Sequence, residues 1–159
     1  MRQTVSALPA LPALTNSQLL YIVIFSILLL ICLNDFMYRT ISNFYLSILT
    51  IVLFLGWLVQ PNWQVWPYTF AILIIGLLLF RFGILAAGDA KLLAILSLGI
   101  DPIYMPLTLL GIVFFGGVMA IGYLFYGLFT DLAKVRQRGI PYGVPICLVG
   151  GLAIVVSAL

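Results

Sequence analysis

Apolar residues fall in six long blocks, 19–33, 44–59, 66–80, 90–100, 104–130 and 142–159, separated by short polar interruptions. Crossing about 30 Å of hydrocarbon takes about 20 helical residues. The pattern therefore predicts an all-α, polytopic membrane protein with about six transmembrane helices, forming a single domain over 19–159. Residues 1–18, with Pro9 and Pro12, are expected to form a loosely ordered lead-in. The first block lacks a strongly basic flank and an A-x-A-like site, so it reads as an uncleaved helix rather than a signal peptide. Block 90–100 is too short to span alone at 1.5 Å per residue, and must tilt, extend through Gly88 and Asp89, or be shielded by neighbours. Block 104–130 carries Gly111, Gly116, Gly117, Gly122 and Gly127, which are expected to serve close helix packing.

Composition sharpens this picture. Of 159 residues, 65% are hydrophobic and 7% charged, against about 25% charged in ordinary soluble domains. No room is expected for a second folded domain. Histidine is absent, which closes Ser-His proteolysis, H-E-x-x-H zinc chemistry and His-ligated metal or haem sites. All acidic residues are Asp. Cys32 and Cys147 lie in apolar runs without a C-x-x-C partner, so neither a zinc site nor a disulfide framework is indicated. No cofactor or metal is expected. Basic residues set the orientation: placing Arg39, Arg81, Lys91, Lys134, Arg136 and Arg138 in the cytoplasm leaves only Arg2 outside, with both termini outward. The outward turn at 60–66 then presents Trp63 and Trp66 to the interface, and Asp101-Pro102 marks the other outward turn.

Ionisable groups bordering membrane depth cost about 2.5–3.5 kcal/mol each, so each needs a reason. Two polar clusters stand out: residues 34–43, at the inner end of the first helix, and 86–92, at the inner start of the fourth. The topology puts Asp35 and Asp89 at one depth. Two facing carboxyls share a proton and titrate as a pair. One can deprotonate water while the other protonates a departing amine, which is the combination that peptide hydrolysis needs. Simpler roles exist for each residue alone. Asp35 and Arg39, four apart, could neutralise each other; Asp89 could cap the fourth helix; Lys91 could snorkel to headgroups.

The spellings around both aspartates resemble those of the prepilin peptidases, membrane aspartyl endopeptidases of the GxGD type. Their first signature is an Asp, an Arg four residues on, then I-P-N; Asp35, Arg39, Ile41 and Asn43 match, with Ser42 in place of Pro. In the second, G-x-G-D-x-K-L, Gly88, Asp89, Lys91 and Leu92 match, with Ala86 in place of the first Gly. A third stretch, Ile140-Pro141-Tyr142-Gly143, is like the I-P-Y-G segment that opens the last helix of short members. The resemblance runs from about Asp35 to Gly151 and is greatest to the short peptidases of Tad/Flp pilus systems. Ser42 is expected to loosen the turn after the first helix, and Ala86 to limit backbone approach there.

The resemblance implies Asp35 and Asp89 as the catalytic pair, with Arg39, Asn43, Gly88 and Lys91 in support. It implies a bacterial inner-membrane enzyme with its site on the cytoplasmic side. The implied substrate is a prepilin or pseudopilin with a basic leader and an apolar helix; no nucleic-acid partner is implied. Without the cytosolic cysteine-paired insert of long members, methyl transfer is not implied. Two other readings are a small transporter or proton-conducting subunit using the aspartates as a relay, and a pilus-assembly scaffold built on Gly-rich helices. A Ser-Lys protease is disfavoured, because Ser97 lies six residues from Lys91.

Overall fold

The computed structural model describes residues 16–130 and 139–157. Among these residues all regular structure is helical: α1 (Asn16–Tyr38), α2 (Asn43–Val59), α3 (Val65–Arg81), α4 (Ala87–Leu96), α5 (Met105–Phe129) and α6 (Gly143–Ser157), with 3₁₀ turns at Ser97–Gly99 and Pro102–Tyr104. The six expected blocks correspond one to one to these six helices. Helix α1 begins inside the expected lead-in, at Asn16; the rest of that lead-in, and Lys134, Arg136 and Arg138 of the orientation argument, lie outside the described residues.

Two spans, Gln18–Tyr38 and Pro102–Phe129, are long and apolar enough to cross a bilayer. Helices α2, α3 and α6 are apolar but shorter. Large side chains such as Ile74, Leu78, Val113, Phe114 and Leu128 point outward and are exposed. An apolar surface this extensive is not what a monomer in water presents.

Short connectors reverse the chain between α1, α2, α3 and α4. Helix α4 is the axis of the bundle and packs against α2, α3 and α6, while α6 also packs on α1 and α5. The problem of its length is resolved in two of the ways expected. It starts at Ala87, so it includes Gly88 and Asp89, and its neighbours bury Ala90, Leu92, Ala94 and Leu96. It then tightens into a 3₁₀ turn, where Ser97 Oγ donates to the Ala94 carbonyl at 2.7 Å and meets Thr69 Oγ1 of α3 at 2.8 Å. This buried hydroxyl pair satisfies itself, and Ser97 lies at the opposite end of α4 from Asp89 and Lys91, so Ser97 and Lys91 do not pair.

The glycines of α5 divide. A Cβ on Gly111 would lie 3.0 Å from Val149, and one on Gly116 only 2.8 Å from Tyr142, so both permit the α5–α6 contact. Gly117 and Gly122 face open space, so the packing role expected of them does not hold for these neighbours.

Candidate active site

Asp35 lies in the last turn of α1 and Asp89 in the first turn of α4, and both are buried. The fold brings them to the same end of the bundle, where Asp35 is near enough to act electrostatically on Asp89. A helix C-terminus and a helix N-terminus from different parts of the chain thus deliver one carboxyl each.

Of the simpler roles, one holds in part. The N-cap of α4 is Ala86, which makes no side-chain cap bond; Asp89, three positions further on, turns its carboxyl back to the Ala86 amide, the reciprocal half of a capping box. Arg39 forms no ion pair with Asp35 among the described residues. Its Nη1 donates to the Gly139 carbonyl at 2.6 Å and its Nη2 to the Tyr123 hydroxyl at 3.0 Å, with the guanidinium carbon 4.9 Å from the Tyr123 ring centre. Asp35 Oδ2 is buried without a hydrogen-bond partner. Arg39 Nε, beside it, and Trp66 Nε1, at the other end of the bundle, are likewise buried without a partner among the described residues.

Arg39 also ends α1. Its N–H bonds the Asp35 carbonyl at 2.9 Å, and its φ is +56°, the left-handed position at which helices usually place Gly. Holding an Arg there costs about 1 kcal/mol, which the two guanidinium bonds offset. The following turn is ordered by Ser42, which caps α2 by accepting from the Phe44 N–H at 3.3 Å. Its φ of −68° is one that Pro would also adopt, so Ser in place of Pro keeps the turn and adds a cap rather than loosening it. Ala86, at φ −75° and ψ 149°, is in extended backbone open to any residue, so Ala in place of Gly imposes no conformational cost.

The other supporting residues pair with each other. Lys91 Nζ donates to Asn43 Oδ1 at 3.3 Å, tying the start of α4 to the start of α2 instead of reaching freely toward headgroups. Gly88 lies under Ile41: a Cβ there would come within 3.1 Å of the Ile41 Cβ, so a side chain at 88 would push the 39–42 turn off α4 by a few tenths of an ångström. One turn below the aspartates, Cys32 of α1 and Cys147 of α6 are within electrostatic reach of each other and both thiols are free.

Two residues of the site, Gly139 and Tyr123, were not singled out from sequence, and Gly143 was quoted there without a role. The Asp35 carboxyl lies over the N-terminus of α6, facing the amides of Gly143 and Val144. The I-P-Y-G spelling was a signal for Gly143; nothing in the sequence marked Tyr123. Asp35 closes α1 but faces the amide end of α6, so both carboxyls lie at helix N-termini.

A model of the type IV leader peptidase family matches residues 22–121, well over half of the chain. The match includes Asp35, Arg39, Asn43, Gly88, Asp89 and Lys91 and ends before Gly139. No curated protein and no solved structure matches the chain.

Proposed function

The chain belongs to the type IV leader peptidase family, and from that premise we propose that it is an aspartyl endopeptidase in which Asp35 and Asp89 jointly activate water to remove the leader of a prepilin-like substrate. The observation that carries this reading is the convergence of two buried carboxyls from α1 and α4, with the Arg39 guanidinium hydrogen-bonded to Gly139 and Tyr123 rather than to either carboxyl.

Six helices cross the bacterial inner membrane, with the aspartates near the cytoplasmic face. The apolar exterior and the two long spans support this arrangement, as does the gathering of Arg39, Arg81 and Lys91 at the aspartate end. The substrate carries a short basic leader in the cytoplasm, then an apolar helix, and docks laterally. Its last polar turn unwinds near Gly88, because a helical carbonyl is occupied by its own hydrogen bond. One carboxylate takes a proton from water as the water oxygen bonds the scissile carbon, giving a tetrahedral intermediate. The protonated partner then gives its proton to the leaving nitrogen as the C–N bond breaks, yielding a new carboxyl and a new amine. The short form, without a cytosolic insert, fits the Tad/Flp type of pilus system.

Co-expression with a pilin precursor tests this reading. Wild type should shorten the precursor, and Asp35→Asn and Asp89→Asn should accumulate in the membrane without doing so. Processing by either variant removes the dyad. Ion flux in liposomes with no cleavage by wild type would identify a relay instead.

A further inference from the structure

The last turn of α1 and the segment entering α6 run alongside each other in opposite directions, and they touch at two points. Asp35 meets Gly143, and Arg39, four residues later, meets Gly139, four residues earlier. The first contact is close. A Cβ on Gly143 would lie 2.7 Å from Asp35 Oδ2, 2.9 Å from its Cγ and 3.1 Å from its Cβ. The conflict thus extends along the whole Asp35 side chain, and turning the carboxyl alone would not relieve it. At the second contact Arg39 grips the Gly139 carbonyl while bracing on Tyr123 of α5. Gly139 has φ +76° and Arg39 φ +56°, so both partners are held in left-handed backbone. Between them, Tyr142 rests on Gly116 of α5.

We propose that residues 139–143 are a positioning element of the active site: Gly143 forms the seat that fixes the Asp35 carboxyl, and Arg39 holds that seat in place through Gly139 and Tyr123. Neither Gly143 nor Arg39 reacts. Both act by fixing where one of the two carboxyls points, and so whether water can lie between them. The inference rests on the dyad reading above. It adds that the aspartates need a third strand of chain, from the far end of the sequence, to be aligned.

The test uses the full chain in liposomes with a prepilin-like peptide, comparing Gly143→Ala with Gly150→Ala. Gly150 lies on the same helix, and its Cβ would come 2.8 Å from Leu96, but there it meets only the end of a flexible side chain, Cδ1. Gly143→Ala should lower kcat by about a hundredfold, as misplacement of a reacting group does, with KM within threefold of wild type. Gly150→Ala should keep kcat within threefold at a comparable thermal stability. If Gly143→Ala retains kcat, or if both variants lose kcat in step with stability, the seat is refuted. Arg39→Lys decides the matter should Gly143→Ala fail to insert, since Lys keeps a positive charge beside Asp35 but cannot span Gly139 and Tyr123 together. A tenfold loss of kcat at unchanged KM supports the latch; full rescue by Lys reduces Arg39 to a charge and overturns it. Wild-type cleavage that Asp35→Asn abolishes must accompany these results, so a failed seat and a failed dyad give different outcomes.

Discussion

The two ends of the bundle use the same residue types to opposite ends. At the end remote from the dyad, Asp101 Oδ1 accepts from the Ile103 N–H at 3.0 Å while the Asp101 N–H donates to Ser157 Oγ at 2.8 Å, so this carboxylate serves as a cap. At the dyad end, Asp35 is buried with an oxygen left open. Packing differs as well. The remote end has three tryptophans in contact, Trp57 lying 4.9 Å from Trp63 and 5.6 Å from Trp66, above a cavity of about 680 Å³ bordered by Gly56, Leu53 and Ile154. The dyad end has backbone pressed against side chains at Gly88 and Gly143. Each end leaves a buried polar atom unpaired, Trp66 Nε1 at one and Asp35 Oδ2 at the other, but only at the dyad end is that atom a carboxylate oxygen pressed against backbone. Reaction geometry requires the second kind of environment, because unspent hydrogen-bonding capacity is useful only where its position is fixed.

Replacing the dyad should break this contrast most severely. On the proposed mechanism Asp35→Asn and Asp89→Asn each remove a proton-transfer group, and cleavage should fall by about 10²- to 10⁴-fold, measured as product formed from a peptide substrate at equal amounts of inserted enzyme. Gly88→Ala comes next. The new methyl must displace Ile41, two residues after Arg39 in the same turn, and this shift should cost about ten- to a hundredfold in kcat. Activity like wild type in Gly88→Ala would show that the turn is free to move without disturbing either aspartate, and the tight end would be less constrained than its contacts indicate.

How much of this was legible in the sequence follows from the range of each interaction. Helices were readable because each apolar block is local, and that Asp35 and Asp89 share one end of the bundle was readable because two spans, α2 and α3, separate the helix that one closes from the helix that the other opens. The extension of α4 back to Ala87 was one of the alternatives that its length forced. What could not be read depends on contacts between distant segments. Arg39 reaches Gly139, a hundred residues away, in preference to the aspartate four residues before it; sequence spacing favours the near partner, and only the packing of α1 on α6 supplies the far one. Tyr123 was silent for the same reason, since one more aromatic residue on an apolar helix carries no mark of its partner. Lys91 was read as lipid-facing because its position on α4 is known from sequence, whereas the location of Asn43 relative to it is not.

The remote end should respond in stability rather than in catalysis. Asp101→Ala removes a cap at the entry to α5 and should destabilise the protein by about 1 kcal/mol, read by thermal unfolding in detergent, while peptide cleavage is unchanged. A loss of cleavage exceeding the loss of folded protein would mean that the two ends are coupled through α6, whose Ser157 bonds the Asp101 amide.

The smallest effect is expected from Gly56→Ala, and it sharpens the comparison because it makes the same chemical change as Gly143→Ala at the opposite end. A Cβ on Gly56 would lie 3.3 Å from Leu20 Cδ2, the tip of a flexible side chain beside the cavity, which leaves room for it to move. Alanine also favours helix over glycine by up to about 1 kcal/mol, so stability should stay level or rise slightly, with kcat and KM both retained. Equal damage from Gly56→Ala and Gly143→Ala would trace glycine sensitivity to helix packing throughout the bundle. Divergence, with one variant silent and the other inactive, would locate it where a carboxyl side chain occupies the space that a methyl would take.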